Sequence, residues 1–380
     1  MLNDVSDRGG MMKFTTKKPP VTRSSETTYK RALSLHIAIL IASLSAVIMN
    51  GFYNIPENSS YNLDQAFQVF GMLVIGGFAA VIVELFYRLS EGDTDRFSSY
   101  SGFVDPLSTG LLIALLLPLG TPAYVLILAV IVGTYAGKLV FGGYGYYIFN
   151  PALVGVLFAT LSFSGQMTVM DTPLMILKEV FAGGTFEGIT LLNLLAGNYA
   201  ALAVGSTGVI TLIVLFVYLL VTKVIDLRLS GTFLLTVLFM SFGIGTILWA
   251  FEGTTTLSYM IVNLFTGLTM FAAVFLLSEP VSTPTSRETK IIFAVVVAVL
   301  MMTMRTLSTN TEGIVFAVLF GNMITPFINR TVKRSNRSSL IKTLVGVAIF
   351  VLIATVAIGF MLQGQLKELN EVAAVIGGVL

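Results

Sequence analysis

Long apolar runs joined by short polar connections recur from residue 32 almost to the end of this chain. They cover approximately residues 32–52, 66–87, 107–119, 122–142, 150–163, 206–222, 231–250, 258–278, 290–307, 312–328 and 340–362. A helix of about 20 apolar residues crosses a bilayer, and shorter half-helices are accommodated where protein surrounds them. Lipid offers no water to a backbone N–H or C=O, so runs this apolar must satisfy those groups internally, as helices do. The expected fold is an all-α integral membrane protein with ten to eleven transmembrane helices. Charge density agrees. Only 11% of the 380 residues are charged, against roughly 25% in soluble domains, too few to cover a soluble surface of this size.

The basic residues set an orientation. With the N-terminus in the cytoplasm and strict alternation of spans, all but three of the 22 Lys and Arg fall on the inner side; the exceptions are Lys178, Arg305 and Lys367. That asymmetry is the positive-inside pattern. It makes residues 1–31 a cytoplasmic tail and puts both the 164–205 loop and the C-terminus outside. A secretory signal would carry a short apolar core directly after its positive start. Here Lys13, Lys17, Lys18, Arg23, Lys30 and Arg31 precede a run long enough to span, so the first span is expected to stay. The location read from this is a multi-pass protein of the cell's inner, cytoplasmic membrane. A net charge of +2 gives no basic excess for nucleic acid.

Composition also limits the chemistry. The chain has no cysteine and a single histidine, His36. Thiolate-held iron–sulfur clusters, a cysteine nucleophile, two-histidine haem ligation and histidine zinc sites are therefore excluded within this chain. No acid pair or nucleophile triad stands out, so neither catalytic residues nor a metal site is expected. If electrons pass through the chain, an organic cofactor must carry them.

Two spans look interrupted. The third reads Asp105-Pro-Leu-Ser-Thr-Gly-Leu111 and stops at Pro118, and the eighth reads Asn263-Leu-Phe-Thr-Gly-Leu268 and runs into Glu279-Pro280. Both contain Thr-Gly-Leu, at Thr109-Gly110 and at Thr266-Gly267. Asn150 opens the fifth span and Asn322 lies in the tenth. Copies five spans apart run in opposite directions. The expected organisation is a first five-helix repeat over 32–163, an inverted second over 206–328, and a C-terminal helix with its tail over 329–380. Interrupted segments at matching places in two halves point to a midplane site, with half-helices starting near Leu107 and Phe265. Coincidence of a common tripeptide is the competing reading.

Other residues invite two readings each. Glu84, inside the second span, is a costly intramembrane carboxylate, or an interfacial partner of Arg88 one turn on. Lys138 could neutralise a bound group or a neighbouring subunit, or reach the inner surface. Phe271 and Phe275 could form an apolar gate or simply pack. His36, at the start of the first span, reads as an interface histidine rather than a ligand. The longest loop contains Asp171-Thr-Pro-Leu174 and a glycine-rich stretch from Ala182 to Thr190.

Taken in order, several of these stretches resemble a known family. They are Asp105 to Pro118, Gly137-Lys-Leu-Val-Phe-Gly-Gly143, Tyr147-Ile-Phe-Asn-Pro-Ala-Leu-Val-Gly155, Asp171-Thr-Pro-Leu174 and Lys223-Val-Ile-Asp-Leu-Arg228. Leu264-Phe-Thr-Gly-Leu268, Glu279-Pro-Val-Ser-Thr-Pro284, Glu312-Gly-Ile-Val-Phe-Ala317, Asn322 and Pro326 follow. The chain is similar to the NqrB/RnfD family. RnfD belongs to the Rnf complex, a ferredoxin:NAD oxidoreductase, and NqrB to the Na+-translocating NADH:quinone reductase. The resemblance implies a flavoprotein. FMN would be joined by a phosphoester to a loop threonine, here Thr172, with riboflavin as a second flavin at the membrane part. Pro173 and Leu174 match the family pattern around that threonine, whereas Val169 and Asp171 depart from it.

The implied function is a subunit of an oxidoreductase complex that passes electrons through its flavins and couples them to Na+ or H+ movement. Its partners would be the other subunits, a flavin-transferring enzyme and membrane lipid. Candidates for the ion pathway or the second flavin are Thr109, Gly110, Lys138, Asn150, Thr266, Gly267, Phe271, Phe275 and Asn322. Two other classes compete. One is a small-solute channel or transporter without flavin. The other is a non-pumping electron conduit to extracytoplasmic flavoproteins.

Overall fold

The computed structural model describes residues 28–52, 62–92, 100–167, 195, 203–252, 256–307, 313–332 and 337–377. The helices in chain order are α1 (Thr28–Phe52), α2 (Leu63–Glu91), α3 (Tyr100–Leu116), α4 (Ala123–Ile131), α5 (Pro151–Ser162), α6 (Val209–Val221) and α7 (Leu227–Glu252). The eighth span is a pair, α8a (Thr256–Phe265) and α8b, which begins at Thr269–Phe271; α9 (Arg287–Leu307), α10 (Ile314–Thr331) and α11 (Arg337–Gly377) follow. Among the described residues six helices are long and apolar enough to cross a bilayer, the pair bent by 50° counts as a seventh if taken as one span, and four shorter apolar helices accompany them. Each falls on one of the apolar runs, so the chain is a multi-pass α-helical membrane protein. The outer faces confirm lipid as the solvent. Phe70 and Phe78 on α2, Phe239 on α7, and Leu352 and Phe360 on α11 are exposed, a surface that water would not tolerate.

Local signals in the sequence set several helix ends. The Asn62 side chain accepts from the Gln65 N–H at 3.3 Å and starts α2. Asn150 accepts from the Ala152 N–H at 3.0 Å, with Pro151 at the first helical position, where its missing N–H costs nothing. At the other end of α2, Gly92 takes a left-handed conformation and its N–H returns to the carbonyls of Arg88 and Leu89.

The order of packing recurs between the halves. In the first, α2 packs on α3 and α4, and α4 on α5; in the second, α7 packs on α8a and α9, and α9 on α10. The halves meet where α5 touches α10 and where α1 touches α6. α11 leans on α7 and α9.

The two Thr-Gly-Leu copies differ, which corrects the expectation of a half-helix in each. Around Thr109-Gly110, α3 runs unbroken from Tyr100 to Leu116 despite Pro106 inside it. Gly110 is there for proximity. A β-carbon on it would lie 2.1 Å from the Gly76 carbonyl oxygen of α2, so the two backbones touch, as small residues allow in membranes. At Thr266-Gly267 the helix does break. Gly267 adopts φ +61°, which a residue with a side chain takes only at a cost. One tripeptide thus serves close packing in one half and a bend in the other.

Among the described residues two π-helical turns interrupt the bundle, Val132–Ala136 continuing α4 and Ala272–Leu276 continuing α8b. Such turns redirect side chains and are frequent at functional sites. Here the first is followed by Lys138 and the second by Glu279.

Candidate functional site

Charged side chains from three helices converge at one end of the bundle. Glu84, on α2, is 1% exposed. Arg88, one turn on, pairs with its Oε1. Lys138, just past the π turn of α4, sits 2.7 Å from Glu84 Oε2 and 2.5 Å from Asp105 Oδ2 on α3, and is itself 1% exposed. Two carboxylates and two cations therefore cancel. An ammonium withdrawn from solvent survives only with such partners. Lys138 does not reach the inner surface, and Glu84 is more than an interfacial partner of Arg88, because the same carboxylate serves both cations.

Beside this cluster lies a cavity of about 70 Å³ lined by His36, Asp105, Thr109, Lys138, Tyr147, Asn150, Phe275 and Glu279 among others. It has room for a few water molecules. Glu279, partly buried at its wall, accepts from the Tyr147 hydroxyl and from Ser282 Oγ, the latter at 3.2 Å. Withdrawal from solvent pushes the Glu279 carboxyl up to about 7, against the hydrogen bonds from Tyr147 and Ser282 that favour its charged form. Asn150 and Asn322 come together next to it. With its amide oriented to satisfy both neighbours, Asn322 accepts from the Asn150 N–H at 3.2 Å and donates to the Ser282 carbonyl at 3.3 Å. Asp105, Lys138 and Glu279 all contribute to the wall of this water-sized space.

The remaining candidates divide by depth. Thr109 faces the cavity, its hydroxyl donating to the Asp105 carbonyl at 3.1 Å. Thr266 makes the equivalent bond back to the Val262 carbonyl at 2.5 Å, but lies at the bend. Phe271 and Phe275 stack obliquely with ring centroids 4.9 Å apart. Both are buried, and Phe275 forms part of the cavity wall. Gly110 and Gly267 shape the backbone. Thr172 lies outside the described residues.

Sequence reasoning misses Asp105, Tyr147 and Glu279 as site members, and above all Arg305. That residue counts as an outer-side charge in the sequence, yet its side chain is 0% exposed. Nη1 donates to the Asn263 carbonyl at 2.9 Å and to Thr269 Oγ1 at 2.8 Å, and Nη2 donates to the Thr266 carbonyl at 3.2 Å. A signal for it exists, since an arginine within an apolar run is a functional hypothesis by default.

Fold and site together define a polytopic helical membrane protein with a charged, water-sized cavity at one end of its bundle. The chain belongs to the NQR2, RnfD, RnfE family, whose model matches residues 15–338. Among its relatives is the D-type component of an ion-translocating oxidoreductase complex from Shewanella sediminis, 28% identical over 60% of this chain and 75% of that protein. The D-type component of a proton-translocating ferredoxin:NAD(+) oxidoreductase complex from Clostridium ljungdahlii is 26% identical over 83% of this chain and 94% of that one. Its counterpart in the ion-translocating oxidoreductase complex of Salmonella arizonae is 27% identical over 84% and 96%.

Proposed function

We propose that the chain is the flavin-carrying membrane subunit of an ion-translocating oxidoreductase complex of the Rnf or Na+-translocating NADH:quinone reductase type. Its family membership over residues 15–338 carries this reading, and Thr172-Pro173-Leu174 in the longest loop supplies the attachment point. In this reading FMN is held by a phosphoester to Thr172 and, when bound, accepts and passes on electrons. The Thr172 hydroxyl would supply the ester oxygen. The absence of cysteine and of a second histidine fits a redox group that needs neither ligand. Riboflavin, as the second flavin of this reading, would sit at the membrane part. Asp105 and Glu279 at the charged cavity suit the entry of Na+ or H+ from the cytoplasmic side. The charge asymmetry supports an inner-membrane orientation with N-terminus inside, the flavin loop outside and, with eleven spans, the C-terminus outside.

The test is a denaturing gel viewed under ultraviolet light, on protein made with a flavin-transferring enzyme. A fluorescent band is expected from the wild type and none from Thr172→Ala, with the membrane fold intact. Peptide mass spectrometry should find FMN on Thr172. A modified Thr168, Thr185 or Thr190 would keep the function and refute the site, and an unmodified chain would favour a channel without flavin.

A further inference from the structure

The unwound turn between α8a and α8b frees backbone carbonyls that lipid cannot satisfy. In membrane proteins with discontinuous helices, such carbonyls are where a cation sits. Here the position is taken by this chain's own side chain. The Arg305 guanidinium reaches across from α9 to the carbonyls of Asn263 and Thr266 and to the Thr269 hydroxyl, at 2.9, 3.2 and 2.8 Å. The hydroxyl in turn donates to the Asn263 carbonyl at 3.0 Å, so one carbonyl accepts from both.

We infer that Arg305 is a tethered cation filling a carbonyl cradle of the guanidinium class, standing at the bend where a free cation would otherwise be needed to satisfy the exposed carbonyls. Three features carry this. The donors are two separate nitrogens of one planar fork and the acceptors come from three residues, a match that a compact ammonium or a spherical ion does not reproduce. The cradle belongs to a fixed backbone, because Gly267 at φ +61° sets the bend. The arginine is completely buried, where only dedicated partners make its charge tolerable. The inference concerns the second half of the fold and does not depend on the flavin reading.

The experiment uses the full-length protein in detergent, with thermal unfolding read as a midpoint. Arg305→Ala should lower it by at least about 5 °C. Guanidinium chloride at low millimolar concentration should then recover a clear part of the loss, with no effect on the wild type. Sodium or potassium chloride at the same ionic strength should recover none. Equal recovery by all three salts, or by none, overturns the inference. Should Arg305→Ala not assemble, Arg305→Lys and Thr269→Val decide. Each should assemble with a lowered midpoint, and a wild-type midpoint in both refutes the fork.

Discussion

Lys138, just past the π turn that continues α4, holds its ammonium nitrogen 2.7 Å from Oε2 of Glu84 on α2, and each side chain is only 1% exposed. With Asp105 of α3 at 2.5 Å, this one lysine joins three spans.

Removing one member of a buried pair strands the other charge. Lys138→Met should cost about 3–5 kcal/mol of stability. Adding Glu84→Gln should recover only part, because the neutral amide no longer needs the cation while Asp105 still lacks its ammonium and Arg88 loses its carboxylate. A double-mutant cycle of unfolding in detergent reads the coupling. Strictly additive losses would show that the two residues act independently.

The two glycines of the repeated tripeptide should respond differently. Gly110→Ala places a methyl group against the Gly76 carbonyl and should separate α2 from α3, with a loss of roughly 1–3 kcal/mol or more. Gly267→Ala strains a left-handed backbone by about 1–2 kcal/mol, and Gly267→Asn should be the milder change, since asparagine tolerates that region. Denaturation midpoints for the three variants test the ranking. An asparagine as harmful as alanine would mean that space, rather than φ, sets the limit at the bend.

Glu279 should make stability fall as pH rises. Its carboxyl is pushed up to about 7, burial being the main cause, so between the ordinary value near 4.3 and about 7 the folded state holds a proton that the unfolded state has lost. Stability declines across that window and stays reduced above it. Glu279→Gln keeps an oxygen for the Tyr147 hydroxyl and removes the titration. Its unfolding midpoint, compared with wild type, should gain at about pH 8 relative to about pH 5. A constant difference across the range would exclude a titrating Glu279.

Asp226, in the connection before α7, gives the opposite sign on a smaller scale. Lys290 Nζ lies 2.7 Å from its Oδ2, and the two side chains are 33% and 22% exposed for the aspartate and the lysine. Partial burial works against the charged carboxylate. The hydrogen bonds from Lys290 and the Arg228 N–H outweigh it and hold the carboxyl below its usual range. The contribution is present above about pH 4 and lost as pH falls through the lowered value. Solvent screening keeps it to at most about 1 kcal/mol. Asp226→Asn should therefore trail the wild type slightly near neutrality and match it near about pH 2.

The spans are legible in the sequence because crossing lipid imposes a length and a polarity that few other segments share. Each apolar run has its helix, including the twelve-residue α5 announced by Asn150-Pro151. The site is legible only in pieces. Lys138 stands out as a charge beside a span, but its partners lie 54 positions away at Glu84 and across a helix interface at Asp105, and separation along the chain hides both. Thr-Gly-Leu reads as one device because its letters are the same. Packing against Gly76 in one copy and a positive φ in the other come from neighbours that the tripeptide does not encode. A count of charges places Arg305 by the side of the membrane it approaches, which says nothing about which carbonyls it meets.

The contact between Gly76 and Gly110 also bears on how the molecule can move. Backbones in such close register cannot slide or rock past one another without a collision, and Lys138 ties the same two helices to α4. These three spans therefore behave as one stiff block. Rearrangement within the bundle is then left to elements outside that block, and in the bent eighth span Arg305, bonded across the break, is the bolt that resists it.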